Sequence, residues 1–186
     1  MELVAFSGYA RSGKDTAAEA LINELGYQRI AFADKLRDFL YALDPIVDVI
    51  PPTLEPITVQ EIIDEHGWGG YKETSYGPEI RRLLQRLGTE AGRQVMWDSI
   101  WIDAALDNLP EGKYVVTDAR FVNEAEAIRK RGGRIYRIER AGVGPANSHP
   151  SETSLDDYAF DGFIHNDSNI EDFHKSVIRR VCESRS

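Results

Sequence analysis

The chain has 186 residues, 42% of them hydrophobic, enough for one substantial core with a small insertion and too few for two ordinary domains. A formal net charge of −9 excludes a nonspecific nucleic-acid binder, which needs a basic face to exchange for phosphate counterions. No run approaches the roughly 20 apolar residues of a membrane span, Met1-Glu2-Leu3 enters a strand without a basic-then-apolar leader, and lone Cys182 leaves neither an internal disulfide nor a cysteine zinc set. A cytoplasmic protein is expected, and any anionic ligand must be held by a local basic pocket.

In chain order, Leu3-Val4-Ala5-Phe6 is an apolar run suited to a buried parallel strand. From Lys14, the residues Ala17, Ala18, Leu21, Ile22 and Leu25 recur at helical spacing, and Gly26 ends that helix in a left-handed turn. Arg29 to Phe32 is a weaker strand, followed by Asp34 as N-cap and a helical face of Leu36, Phe39, Leu40 and Leu43. The prolines at 45, 51, 52 and 56 mark residues 44 to 57 as a loop. Thr58 to Glu61 is a capping box opening a helix to about His66, and residues 67 to 77 form a Gly- and Tyr-rich loop. Pro78 begins a helix with a core stripe of Ile80, Leu83, Leu84 and Leu87. After Gly88 a further helical pattern carries Trp97, Ile100, Trp101, Ala104 and Ala105.

Tyr114 to Thr117 is the next strand, ending in Asp118, and Asn123 to Arg131 is a helix closed by Gly132-Gly133. Ile135 to Ile138 is a fourth strand. Residues 140 to 157, rich in Gly, Pro and hydroxyl residues, read as a mobile excursion. Phe163 to His165 is a last strand, and Ile170, Phe173, Val177, Ile178 and Val181 mark a closing helix. Alternating strands and helices predict an α/β fold, a five-stranded parallel sheet flanked by helices, with ligands at the carboxyl ends of the strands.

The stretch Gly8-Tyr9-Ala10-Arg11-Ser12-Gly13-Lys14-Asp15-Thr16 sits between the first strand and helix and matches a phosphate-binding loop, except that Asp15 replaces the expected Ser or Thr. Its backbone N–H groups and the helix start suit phosphate oxygens, and Lys14 supplies a point charge. A carboxylate about 4 Å from a phosphate charge costs on the order of 4 kcal/mol at an effective dielectric of about 20. Asp15 therefore meets a magnesium ion or turns away to cap the helix, with metal contact favoured. Thr16 is one place late for the usual hydroxyl ligand and reads as packing or a secondary contact. Asp118, at the end of an apolar strand, suits a magnesium-bound water, and Arg120 grips an acceptor phosphate or pairs with Asp118. Lys35, Arg37, Arg81, Arg93, Arg120 and Arg140 are the positive charge available to phosphoryl transfer. Arg140 stands at the root of the excursion, where closure would bring it onto the transferring group. Trp97, Trp101, Tyr71 and Tyr76 can stack on a base, although helical spacing puts the two tryptophans in the core.

Together GYARSGKDTAA, FADKLRD, LLQRLGTEAGR and VVTDARFVNEAEAI resemble the deoxynucleoside monophosphate kinases of bacteriophages, a branch of the nucleoside monophosphate kinases within the P-loop NTPase fold. The resemblance spans roughly residues 2 to 180. It implies one kinase domain over residues 1 to 186, with a helical acceptor-binding region at about 44–110 and a lid at about 140–157. It implies that Gly8, Arg11, Ser12, Gly13, Lys14, Asp15 and Thr16 hold the ATP phosphates and metal, with Asn166-Asp167 bordering the adenine. Lys35, Arg37, Gln85, Gly88, Thr89, Arg93, Asp118 and Arg120 would line the acceptor site, Asp15 and Asp118 would serve Mg2+, and Lys14, Arg120 and Arg140 would carry the catalytic charge. The expected substrates are ATP and a deoxynucleoside monophosphate, without nucleic acid or membrane. The resemblance leaves the oligomeric state open, a homodimer being one option, and implies the host cytoplasm if the chain is phage-encoded. His149-Pro150-Ser151-Glu152 is similar to small-molecule kinases of the phosphomevalonate type, which offers another acceptor. A nucleotide-binding regulatory module without transfer activity is the reading from a different class. A GTPase is disfavoured, because the chain has no N-K-x-D guanine-reading motif.

Overall fold

The structure is a computed structural model that describes residues 1–145 and 153–183. The chain forms two compact units, one made of Met1–Phe32 with the residues from Ala105 onward, the other of Ala33–Ala104.

The first unit holds five strands: β1 (Glu2–Ser7), β2 (Gln28–Ile30), β5 (Lys113–Val116), β6 (Arg134–Glu139) and β7 (Gly162–His165). They form one sheet in the order β2-β5-β1-β6-β7, with every neighbouring pair parallel. β1 is central because its side chains are apolar on both faces: Leu3, Val4, Ala5 and Phe6 are all at most 3% exposed. On one face Val4, Phe6, Tyr136 and Ile138 pack with Ala17, Ala18 and Leu21 of α1 (Lys14–Leu25) and with Phe173, Val177 and Val181 of the last helix, Ile170–Glu183. The helix Val122–Lys130 packs against β1 and β6, with its Ala125 and Ile128 buried. Gly26 ends α1 at φ 71°, as expected from its lack of a Cβ.

The second unit follows β2 in sequence. α2 (Phe32–Leu43) leads into it, and the stretch expected to be a loop is instead an antiparallel hairpin of β3 (Ile46–Ile50) and β4 (Glu55–Thr58). Pro45 precedes β3, Pro51 and Pro52 lie in the turn and Pro56 lies in β4, so the β-branched Ile46, Val47, Val49, Ile50 and Ile57 remain free to pair. Asp34 is not the N-cap but lies inside the first turn of α2, because the helix already begins at Phe32.

The Thr58–Glu61 capping box is present and opens α3 (Val59–Gly70), whose helical backbone breaks at Gly67 (φ 67°, ψ 169°), so its first segment ends near His66 as expected. α4 (Gly77–Gln85) does not stop at Gly88. It continues as a π-helical stretch from Arg86 to Met96, and Trp97 then turns extended before α5 (Ile100–Leu106). Leu40, Val59, Ile62, Ile63, Tyr71 and Ile80 form this unit's core.

By chain order, the helices Val122–Lys130 and Ile170–Glu183 are α6 and α7. Among the described residues no helix is long and apolar enough to cross a membrane.

Candidate active site

The loop between β1 and α1 is built on left-handed backbone. Gly8 has φ 143°, Arg11 67° and Gly13 103°. At Gly8 a Cβ would meet the Ile138 carbonyl oxygen at 2.5 Å and Ser12 Oγ at 2.7 Å, so glycine is required there for space as well as conformation. Gly13 is the N-cap of α1, and no side chain caps that end. The amide N–H groups that open a helix, with its positive dipole end, favour an anion. This cradle fits a polyphosphate.

Lys14 folds back over the loop, its Nζ donating to the carbonyl oxygens of Gly8 at 2.7 Å and Tyr9 at 2.8 Å. Asn166, just past β7, donates through Nδ2 to the Ser12 carbonyl oxygen at 2.8 Å. Arg11, Gly13, Lys14, Asp15, Thr16, Arg140 and Asn166 line one cavity of about 440 Å³. Of the residues predicted for ATP and metal, Arg11, Gly13, Lys14, Asp15, Thr16 and Asn166 thus meet on one cavity, while Gly8, Ser12, Asp118 and Asp167 do not line it, and Arg140 joins from the start of the excursion. Asp15 is exposed in the first turn of α1.

Ser12 lines a neighbouring cavity of about 470 Å³ instead, together with Tyr9, Arg137, Glu139, Arg140 and Asp156. Its Oγ is buried and has no hydrogen-bond partner among the described residues. Tyr9 Oη donates to Asp156 Oδ1 at 2.8 Å, and burial, followed by that bond, holds its phenol above the usual tyrosine range. Arg137, Asp156 and Tyr9 escaped the sequence reading. Arg137 carried one signal, a charge inside an apolar strand, whereas nothing local distinguishes Asp156.

Asp118 lies at the end of β5, where its Oδ1 accepts the Phe32 N–H at 2.9 Å. Arg120 is exposed, and its backbone N–H is held by Glu124 Oε2 at 2.8 Å.

The remaining predicted residues belong to the second unit. Lys35 pairs with Asp38 at 3.4 Å, and Arg37 pairs with Asp34 at 3.1 Å while standing 5.9 Å from the Trp68 ring. Gln85, Thr89 and Arg93, four apart, follow one line along α4 and its π-helical continuation. Gly88 is buried against Leu36, and its carbonyl accepts the Trp101 indole N–H at 2.9 Å. Trp101 is therefore core, as expected, but Trp97 is 49% exposed and bonds Asp103. Of the excursion, residues 146–152 lie outside the described residues, and with them His149 to Glu152.

Comparison with known proteins identifies the family. A family model described as deoxynucleotide monophosphate kinase matches residues 60–177. The chain is 30% identical over 201 residues to a putative deoxynucleotide monophosphate kinase of Acanthamoeba polyphaga mimivirus, covering 97% of this chain and 96% of that one. It is 25% identical to the deoxynucleotide monophosphate kinase of Escherichia phage RB69, over 95% of this chain and 98% of the relative. A match to the deoxynucleoside-5'-monophosphate kinase of Escherichia phage T5 is 31% identical but spans 66% of this chain and 50% of that protein. The chain belongs to the deoxynucleotide monophosphate kinase family.

Proposed function

We propose that this protein is an ATP- and Mg2+-dependent deoxynucleoside monophosphate kinase, transferring the γ-phosphoryl group of ATP to the phosphate of the acceptor. The observation that carries the reading is the convergence of Lys14, Asp15, Thr16, Arg140 and Asn166 on one cavity at the uncapped start of α1.

The acceptor phosphate is already a nucleophile at neutral pH, so no covalent enzyme intermediate and no strong general base are needed. Catalysis is then positioning plus neutralisation of charge. The loop amides from Gly13 onward and the α1 dipole take the triphosphate, and Lys14 leaves the Gly8 and Tyr9 carbonyls for the β- and γ-phosphates. Arg140 and Arg120 offset the charge that develops on the transferring group.

Asp15, an exposed hard oxygen donor on the cavity wall, would hold Mg2+ together with phosphate oxygens, and Asp118 would hold a metal-bound water. The metal supplies neutralisation of the phosphate oxygens. Lys35, Arg37, Gln85, Gly88, Thr89 and Arg93, on the second unit, engage the acceptor nucleotide. Residues at about 140–157 act as the lid that excludes water.

The test is ADP release, coupled to an optical readout, measured with each of the four deoxynucleoside monophosphates and their ribose counterparts. Turnover that depends on an added deoxynucleotide is expected. ATP consumption indifferent to every nucleotide acceptor would end this reading.

A further inference from the structure

Arg137 lies on β6 with its side chain 8% exposed, a costly place for a charge unless it is paired. Its Nη2 donates to Asp156 Oδ1 at 2.8 Å, and its guanidinium carbon stands 4.5 Å from the Tyr9 ring centroid and 5.6 Å from that of Phe160. The same Asp156 oxygen accepts the Tyr9 hydroxyl at 2.8 Å. One carboxylate oxygen thus joins β6 to the first turn of the glycine loop.

Tyr9 is also the residue whose carbonyl accepts both the Lys14 ammonium at 2.8 Å and the Ser12 N–H at 3.2 Å. The Tyr9 backbone, with the Gly8 carbonyl, therefore sets where Lys14 waits before ATP binds, and the course of the loop that the triphosphate enters. The loop is conformationally costly, with Arg11 at φ 67°, and a non-glycine residue keeps such a backbone only when its surroundings over-determine it. Asn166 fixes the far end of the loop through the Ser12 carbonyl. The near end is fixed by the clamped Tyr9 ring.

Asp156 belongs to the stretch by which the chain returns to β7. That stretch is tied down further on, by Tyr158 Oη on Glu126 at 2.8 Å and by the Ile135 N–H on Asp161 Oδ2 at 2.8 Å.

We propose that Tyr9, Arg137 and Asp156 are positioning residues: Asp156 holds Tyr9 against Arg137, and so sets the loop's first turn and the Lys14 ammonium for the triphosphate of ATP. This rests on the reading that the loop takes ATP. None of the three has to touch the transferring group. Their effect falls on donor binding and not on the acceptor.

Tyr9→Phe removes one hydroxyl and leaves the ring on Arg137, while Asp156→Asn keeps the shape and removes the charge. For wild type, each variant and the double variant, the Kd of Mg-ATP is measured by calorimetry, with kcat, both KM values and Tm. Each single change is expected to raise the Kd and KM of ATP roughly fivefold, leaving the acceptor KM unmoved. The double variant should be no weaker than about the worse single, because the groups act as one unit. A lowered Tm with unchanged ATP affinity, or fully additive losses, would overturn the proposal. Wild type that binds ATP but transfers to no deoxynucleotide would instead sink the kinase reading, and the Kd values alone would then decide the positioning role.

Discussion

A Cβ on Gly13 would fall 2.3 Å from Asn166 Nδ2, the atom that donates to the Ser12 carbonyl. The glycine loop and the chain after β7 are therefore fitted to one another at the point where the cavity begins. Gly13→Ala would force Asn166 away and also strain a backbone at φ 103°. We expect ATP affinity to fall at least about tenfold, measured by calorimetry. Asn166→Ala, which removes the loop tie but not the glycine, should cost less.

Lys14→Ala should lower turnover about 10²–10³-fold, the effect of losing one charge aimed at the transferring group. Its ammonium bonds carbonyl groups of the loop itself, so Tm should move by no more than about 4 °C. Arg140→Ala, exposed and on both cavities, should also lower turnover severely with the fold intact. Near-normal steady-state rates in either variant would remove that residue from the mechanism.

The acid beside the lysine lines the cavity while no side chain caps α1. Asp15→Ala, which leaves no ligand oxygen at this position, should therefore raise the Mg2+ concentration for half-maximal rate roughly tenfold, read from a magnesium titration at fixed ATP. An unchanged titration with full activity would return Asp15 to a surface role.

In the second unit, a Cβ on Gly92 would lie 2.8 Å from Trp101 Cζ2 and 2.9 Å from the Leu87 carbonyl oxygen. Gly92→Ala should displace the indole from the Gly88 carbonyl and cost about 1–3 kcal/mol by overpacking. Denaturant melts followed by tryptophan fluorescence would show the loss.

Burial, and then the bond to Glu126, push the Tyr158 phenol up to about 12 from an ordinary 10.0. A folded pKa above the unfolded one means that the folded state holds its proton longer, so this stabilisation is complete below about pH 10 and fades toward about pH 12. The stability gap between wild type and Tyr158→Phe should accordingly narrow across that window, as measured by urea melts at stepped pH.

The sheet was legible because its strands are short apolar runs between helices of clear 3.6-residue period, and β1 with α1 framed the glycine loop unambiguously. What was missed has physical causes. The β3–β4 hairpin hid behind prolines that sit where no ladder N–H is needed. Gly88 looked like a helix end, but Leu36 and the Trp101 indole occupy the space around it and the helix runs on. Trp97 fell on the apolar helical stripe only if the backbone stayed helical, and it does not. In the site, residues close in sequence to the loop were found from the motif. Asp156, lying 147 positions from Tyr9, can be recognised only after β6 and β7 bring the chain back.

The bond from the Phe32 N–H to Asp118 closes a span of 86 positions, and the pairing of β2 with β5 lies across the same gap. Joining such distant segments costs more chain entropy than any contact inside Ala33–Ala104. During refolding, the amides of α3 and α4 should therefore gain hydrogen-exchange protection before those of β2.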